Sequence, residues 1–144
     1  MTDVRAARPG DAAALARLAT QLGYPADEDA IAQRLAATAA DDVGISLVAL
    51  AADGGVCGFA RALPQHFVVE APFVELAALV VADAVRGQGV GAALLARVEA
   101  WAREQGFAEV RVRSNVIRGR AHRFYRREGY VEDKRQVVFS KPMG

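Results

Sequence analysis

The sequence predicts a single α+β domain, in which helices and strands share one core. Its 144 residues are enough for one buried core and too few for two ordinary domains. Apolar residues recur every three to four positions in four segments and alternate or run together in the segments between them, which indicates helices separated by strands. We find no repeat, linker or low-complexity tract, so residues 1–144 are expected to form one domain.

The first half predicts a strand, two helices and a hairpin. Asp11 is suited to cap the first helix because a carboxylate accepts hydrogen bonds from free backbone N–H groups. The glycines in Ala52-Asp53-Gly54-Gly55 favour a tight turn between two strands, and Pro64 is expected to end the second of them. The predicted elements are a strand at residues 4–8, a helix from 11 to 22, a helix that starts at about 27–29 and ends before Asp41, and strands at 45–52 and 56–63.

The second half predicts three strand regions and two helices. Phe73 to Val81 is almost continuously apolar, as expected of a central strand that is buried on both faces. In Ala108 to Arg113, apolar residues alternate with Glu109, Arg111 and Arg113, which are expected to point outward. The predicted elements are a strand at 73–81, a helix from 90 to Gly106, a strand at 108–113, a helix at 118–128 ended by Gly129, and strands at Val131 and 136–140.

Composition restricts the class of protein. The formal net charge is +1, but the first 60 residues carry −4 and the remainder +5, so a negatively charged ligand is expected to favour the C-terminal half. One cysteine, Cys57, excludes an intrachain disulfide and fits a reducing compartment. The N-terminus has no signal-peptide pattern, and no apolar run approaches the ~20 residues that a membrane helix needs. We therefore expect a soluble, cytoplasmic protein that does not bind membranes.

The stretch VRGQGVGAALL, residues 85–95, places three glycines where a helix begins. Free backbone N–H groups at a helix start suit a phosphate, and Arg86 can add a charged contact. Alternatively, the glycines only permit a tight turn. The stretch also fits the dinucleotide fingerprint G-x-G-x-x-G/A, but the expected acidic residue about 20 positions further on is missing: that strand ends in Arg113-Ser114-Asn115. No triphosphate-binding G-x-x-x-x-G-K-S/T motif occurs.

Two motifs together resemble the GNAT superfamily of acetyl-coenzyme A (acetyl-CoA) dependent N-acetyltransferases. The first is Arg86-Gly87-Gln88-Gly89-Val90-Gly91, preceded by Leu79-Val80-Val81-Ala82-Asp83. The second is the helical stretch from Ala121 to Tyr130, with its Phe124-Tyr125 pair and Gly129-Tyr130. The motifs lie about 35 residues apart with a strand between them, and the order of elements is similar over nearly the whole chain.

The resemblance implies a three-layer fold, with a mixed and mostly antiparallel central sheet whose central strands splay apart and are flanked by helices. It implies that acetyl-CoA is the co-substrate, with its pyrophosphate on the backbone of the glycine turn and its pantetheine arm along the preceding strand. Asn115 can bond the same arm or serve as a simple turn residue. The implied coenzyme-binding residues are Leu79, Val80, Val81, Arg86, Gly87, Gln88, Gly89, Val90, Gly91, Ala92 and Asn115.

Acetyl transfer to an amine requires a base for the amine proton and an acid for the departing thiolate. The resemblance assigns the acid to Tyr125, whose alternative role is that of a core aromatic beside Phe124 and Tyr130. Glu75, an acid in an otherwise apolar strand, is the candidate base, and its alternative role is that of a solvated or ion-paired side chain. His66 and His122 have weaker claims. No His, Cys or carboxylate pair has metal-ligand spacing, so no metal is expected.

The acceptor and partners are less specified. A small-molecule or peptide amine is expected, contacted by the first two helices, including Leu22 and Tyr24, and by residues 65–72. Non-catalytic coenzyme binding is the alternative function. Seven arginines within residues 111–127 raise the question of RNA, but they lack interleaved aromatic side chains, so no nucleic acid is expected. Family members often pair through C-terminal strands, and the apolar edge at 136–140 predicts a homodimer.

Overall fold

The structure is a computed structural model that describes residues 2–41, 43–114 and 118–144. It divides into two compact units, residues 1–113 and 114–144. Among the described residues, the first unit holds a five-stranded sheet with three α-helices, and the second holds one α-helix. The organisation of residues 1–144 as a single domain stays a prediction.

The helices and strands lie close to where the sequence predicts them. The strand at Phe73–Val81 agrees at both ends, and the four helices agree to within a few residues. The first unit contains β1 (Asp3–Ala6), α1 (Ala12–Gln21), α2 (Glu28–Asp41), β2 (Ile45–Leu50), β3 (Val56–Gln65), β4 (Phe73–Val81), α3 (Val90–Glu104) and β5 (Val110–Val112), and the second contains α4 (Gly119–Arg127).

The sheet is mixed and mostly antiparallel, as the resemblance implies. Its strand order is β1-β2-β3-β4-β5, with each neighbouring pair antiparallel except β4 and β5, which are parallel. β5 pairs with β4 only from Val74 to Leu76, whereas β3 pairs with β4 from Phe73 to Val81. Only the first part of β4 is therefore paired with both β3 and β5.

Helices of the first unit cover both faces of the sheet. Phe59 of β3 packs with Val48, Val80 and residues of α1 and α2. The preceding residue, Gly58, faces the other way, because a Cβ there would lie 3.0 Å from Leu94 in α3. Successive residues of a strand point to opposite faces. α1 and α2 therefore cover one face and α3 the other, which is the expected three-layer arrangement.

Asp11 immediately precedes α1, as predicted, but it does not cap the helix. Its carboxylate accepts two hydrogen bonds of 2.9 Å from the Arg5 guanidinium and one of 2.9 Å from the Arg8 backbone N–H. These contacts, led by the bonds from Arg5, lower the pKa of buried Asp11. The prediction of a capping role was wrong because a charged partner on β1 holds the carboxylate.

One predicted strand end and two predicted strands were also wrong. β3 continues through Pro64 to Gln65. β2 begins at Ile45, opposite Ala62, so this end of β3 has a neighbour on one side only, where proline is tolerated. The predicted strands at Val131 and 136–140 are absent from the described residues 118–144. An apolar run becomes a strand only where a neighbouring backbone supplies hydrogen bonds.

β5 is shorter than the predicted strand, and Arg111 does not simply point to solvent. Its guanidinium lies 3.9 Å from the centre of the Phe73 ring, donates two 3.2 Å hydrogen bonds to Glu70 and pairs with Glu109. The planar guanidinium can stack on a ring and bond a carboxylate at once. Arg111 therefore helps to attach β5 and the β3–β4 loop to the start of β4.

Gly44 tests the packing at the start of β2. A Cβ on Gly44 would overlap the Ala62 carbonyl oxygen and lie 3.1 Å from Leu63 Cα, both backbone atoms that cannot move independently of β3. We expect Gly44→Ala to lower the free energy of unfolding by about 1–3 kcal/mol, measured by urea denaturation. Gly10→Ala is the control, since no heavy atom lies within 4 Å of its Cβ. Equal effects of the two substitutions would contradict this packing.

Candidate active site

The second part of β4 has an open edge. Among the described residues, β4 has a neighbour on its β5 side only from Val74 to Leu76. The pairing with β3 shifts at this point, because Arg61 pairs with Ala78 whereas Ala62 pairs with Leu76, leaving Ala77 as an extra residue. Such bulges bend a strand and are frequent next to active sites. The bulge therefore marks the position where β4 leaves β5.

Hydrogen bonding shows which residues of β4 face this open edge. Ala82 N–H donates to the Cys57 carbonyl of β3 at 2.8 Å. Because backbone groups alternate in direction along an antiparallel strand, those of Val80 also face β3, whereas those of Leu79 and Val81 face away. The Val81 carbonyl accepts a 2.8 Å bond from the Gln21 side chain on that side. Leu79 and Val81 therefore line the open edge, and Val80 packs its side chain in the core.

α3 begins without a capping side chain. Its N-cap residue is Gly89, with φ at 81° and no side chain to approach the helix start. Ala93 N–H donates the first helical hydrogen bond, to the Gly89 carbonyl at 3.0 Å, so the N–H groups of Val90, Gly91 and Ala92 have no acceptor within the helix. A negatively charged group can bind here because the N–H groups and the helix dipole favour it.

The segment between β4 and α3 is exposed and carries an ion pair. Gly87, Gln88 and Gly89 are exposed to solvent, and no heavy atom lies within 4 Å of where a Cβ on either glycine would be. Arg86 Nη2 lies 2.6 Å from Asp83 Oδ1. Both side chains are largely exposed, so the pair contributes little stability. A phosphate can therefore compete for Arg86 at modest cost.

Glu75 lies near the start of β4 with one oxygen unsatisfied. Its side chain is 16% exposed, and its Oε1 atom is buried and without a hydrogen bond from the described residues. Arg113 Nε forms an ion pair with that oxygen at 3.5 Å, as the alternative role of Glu75 implied, but the distance is too long for a strong hydrogen bond. A buried acceptor without a partner is costly in a folded protein. Glu75 is therefore able to accept a hydrogen bond from a bound group.

Tyr125 belongs to α4 of the second unit. Its ring contacts those of Phe124 and Tyr130 edge to face, with centroid distances of 5.2 and 6.0 Å. Burial raises the pKa of Tyr125 to about 12, because the charged phenolate loses hydration. The phenol therefore keeps its proton at neutral pH, as a proton donor must. The motif around Tyr125 is helical, as predicted, and ends at Gly129.

Other candidate residues lie on α4 or outside the described part of the chain. Asn115 lies outside the described residues. Arg120, Arg123, Arg126 and Arg127 are exposed along α4. Across the described ranges, no three His, Cys, Asp or Glu side chains come close enough to hold a metal ion. In the same ranges, no helix combines the length and apolar character needed to cross a membrane.

Sequence reasoning missed Gln21 and the bulge at Ala77. Gln21 contacts residues about 60 positions away in the chain, and a single polar residue at the end of an amphipathic helix gives no local signal of such a contact. The Ala77 bulge depends on the registers of two neighbouring strands. No pattern within residues 73–81 distinguishes it from an uninterrupted strand.

The chain is similar to known acetyltransferases in sequence. The model of the acetyltransferase (GNAT) family matches residues 13–130. An aminoglycoside N(6')-acetyltransferase type 1 of Stenotrophomonas maltophilia is 38% identical over 97% of this chain and 93% of its own length. An aminoalkylphosphonate N-acetyltransferase of Salmonella typhimurium is 34% identical over 80% of this chain and 72% of its own.

A solved structure shares the fold. The aminoglycoside N-acetyltransferase AAC(6')-Iy in complex with CoA superposes with a TM-score of 0.87, covering 99% of this chain and 96% of its own at 24% identity. A TM-score of this size over nearly the whole length of both chains shows that they share a fold.

Burial of Tyr125 predicts a pH dependence of stability. The folded pKa is about 12 and the ordinary value 10.0, so the unfolded chain ionises this phenol first as pH rises. The stability that its protonation confers is complete below pH 10 and is lost as pH rises toward 12. We expect Tyr125→Phe to lose less unfolding free energy than the wild type between pH 8 and 11, measured by urea denaturation. Equal losses would contradict the burial of this phenol.

Proposed function

The chain belongs to the GNAT family of acetyltransferases, and from this premise we propose that it transfers the acetyl group directly to a primary amine of a small molecule or peptide. It is an acetyl-CoA-dependent N-acetyltransferase. Relatives named for aminoglycosides and an aminoalkylphosphonate support a small-molecule amine as the acceptor. Leu22, Tyr24 and the loop at residues 65–72 are the proposed acceptor contacts.

We propose that acetyl-CoA binds along the open edge of β4 and at the start of α3, and the continuity of these two features carries the proposal. Leu79 and Val81 offer backbone hydrogen-bonding groups to the amides of an extended pantetheine arm, as an added strand would use them. The uncapped N–H groups from Val90 to Ala92 come next along the chain and are the proposed contacts of the coenzyme's phosphates. Gly87, Gln88, Gly89 and Arg86 complete this contact surface, with Val80 fixing β4 in the core and Gly91 leaving room for close approach.

The bound co-substrate supplies the acetyl thioester. Glu75, with its unsatisfied buried oxygen, is the proposed acceptor of the amine proton, directly or through water. Tyr125 is the proposed donor of a proton to the sulfur as the carbon–sulfur bond breaks and the carbon–nitrogen bond forms. Its support is the family motif. The pKa of about 12 means that the phenol is protonated at neutral pH, but it adds no driving force for transfer to the thiolate, because a thiol has an ordinary pKa of about 8.5.

Glycines at the two ends of α3 allow a matched test of the phosphate site. Gly89 at the start has φ 81° and Gly106 after the end has φ 85°, and both have open space around them. Valine imposes similar backbone strain at either position. We expect Gly89→Val, which adds a side chain at the helix start, to abolish the rise in Tm that CoA produces, and Gly106→Val to retain it.

Arg86→Glu should have the same effect as Gly89→Val, because it replaces a favourable phosphate contact with repulsion. The apoprotein should stay folded in each case, which circular dichroism checks. NAD at the same concentration is the ligand control, since the turn formally fits a dinucleotide motif. A rise in Tm with NAD and none with CoA would overturn the proposed site.

Tyr125→Phe tests the proposed proton donor. The substitution removes one oxygen and keeps the ring, so acetyl-CoA affinity and Tm should stay nearly unchanged while kcat falls at least tenfold, within the roughly 10²–10⁴-fold range of general acid catalysis. Tyr130→Phe makes the same chemical change in the same aromatic cluster and should retain kcat. The assay measures free thiol release with aminoglycoside and aminoalkylphosphonate acceptors.

The opposite pattern would assign Tyr125 to the core. If its hydroxyl only contributes a buried hydrogen bond, Tyr125→Phe costs about 1 kcal/mol of stability and leaves kcat at the wild-type value. Measuring Tm and kcat on the same preparation separates these outcomes.

We also propose that the protein forms a homodimer through its C-terminal segment. Val137, Val138 and Phe139 are 76%, 83% and 90% exposed, which is costly for consecutive apolar side chains in water. The strand pattern of residues 136–140 is realised when a second copy supplies the pairing edge.

Light scattering measures the dimer directly. We expect the wild type to have the mass of two chains and Phe139→Asp to shift it toward one. Val68→Asp is the control, because Val68 is fully exposed in the β3–β4 loop and lies outside the proposed interface. A wild-type monomer at high protein concentration would contradict the dimer.

A further inference from the structure

Gln21, the last residue of α1, bridges two backbone groups at the end of β4. Its Nε2 donates to the Val81 carbonyl at 2.8 Å, and its Oε1 accepts from the Asp83 N–H at 2.9 Å. Both distances are those of normal hydrogen bonds. Ala82, between the two partners, donates its own N–H to Cys57 of β3. The end of β4 is therefore held from both sides.

The first of these bonds changes what the open edge can offer. An outward-facing residue of a strand presents one N–H and one carbonyl to an added strand. A carbonyl oxygen can accept two hydrogen bonds, but the Gln21 amide lies against the Val81 carbonyl on the side that an added strand would use. Leu79 therefore offers both of its backbone groups, whereas Val81 offers its N–H. An extended arm with amide groups can therefore pair beside Leu79 but cannot continue the same pairing past Val81.

The second bond fixes the turn that follows. Asp83 begins the short 3-10 turn Asp83–Val85, its carbonyl accepts from Arg86 N–H at 3.3 Å, and its carboxylate pairs with the Arg86 guanidinium. Gln21 thus contacts the edge proposed for the pantetheine arm and the segment that leads to the proposed phosphate site. Leu22 and Tyr24, the proposed acceptor contacts, follow it directly in the chain.

We propose that Gln21 is a positioning residue that sets the register of acetyl-CoA on β4. By closing the edge at the Val81 carbonyl, it prevents the arm from pairing one step further along the strand, a slip of two residues or roughly 7 Å. Such a slip would carry the acetyl group away from the acceptor amine while the coenzyme stayed bound. This inference rests on the proposed coenzyme site.

The register role predicts loss of turnover without equal loss of binding. Gln21→Leu keeps the size of the side chain and frees the Val81 carbonyl. Gln21→Glu keeps an acceptor for Asp83 N–H but places an oxygen against the Val81 carbonyl. We expect both variants to bind CoA with Kd within about threefold of the wild type, and kcat to fall about 10–100-fold, since misplacement by 1 Å already costs catalysis heavily.

Thr20→Val is the matched control, because Thr20 neighbours Gln21 and its side-chain hydroxyl donates to the Ala16 carbonyl of its own helix. It should keep wild-type Kd and kcat. The experiment measures Kd from the CoA-induced rise in Tm, and kcat from thiol release, on all four proteins.

The outcomes separate this inference from the proposed function. Unchanged kcat in Gln21→Leu, or a kcat loss matched by an equal loss of CoA affinity, overturns the register role and leaves the proposed function standing. Recovery of wild-type kcat in Gln21→Glu overturns it as well, because the Asp83 bond alone would then suffice. A wild-type protein whose Tm does not respond to CoA overturns both.

Discussion

The candidate site depends on β4 having two neighbours over its first part and only one over its second. β3 pairs with the whole of β4, whereas β5 leaves after Leu76. An unpaired strand edge presents backbone donors and acceptors that gain stability from pairing. The bulge at Ala77 and the short parallel pairing with β5 thus create an edge inside the sheet rather than at its border. A ligand with amide groups can complete that edge without displacing any strand.

The start of α3, like the open edge of β4, has backbone groups that lack hydrogen-bond partners in the described part of the chain. The N–H groups of its first turn have no partner within the helix because no earlier helical carbonyl is available to accept from them. Gly89 leaves them without a capping side chain. The side chain of Val90 is buried and its neighbours in the core hold the helix in place. The proposed binding groups are therefore mostly backbone atoms positioned by core packing. Side chains such as Arg86 add charge to a surface that already exists.

Three polar side chains make contacts that join different parts of the fold. Asp11 binds Arg5 across β1, Arg111 lies over Phe73, and Gln21 reaches the end of β4. Arg111 and Gln21 contact elements that are far apart from them in the sequence, whereas Asp11 and Arg5 are six residues apart. The sequence predicted a local role or no role for each of the three. A carboxylate, guanidinium or amide bonds the best-placed partner in three dimensions. The identity of that partner depends on how the elements pack.

The sequence by itself determined the helices, β4, the glycine turn at residues 86–91 and the family, because hydrophobic periodicity and motif spacing are local properties of the chain. Tertiary structure alone decided the open edge, the bulge at Ala77, the hydrogen bonds of Gln21 to the end of β4, the passage of β3 through Pro64 and the lack of a strand at residues 136–140. These features depend on which backbone lies beside which. A strand pattern states what a segment can pair with, and the neighbouring backbone determines whether hydrogen bonds form.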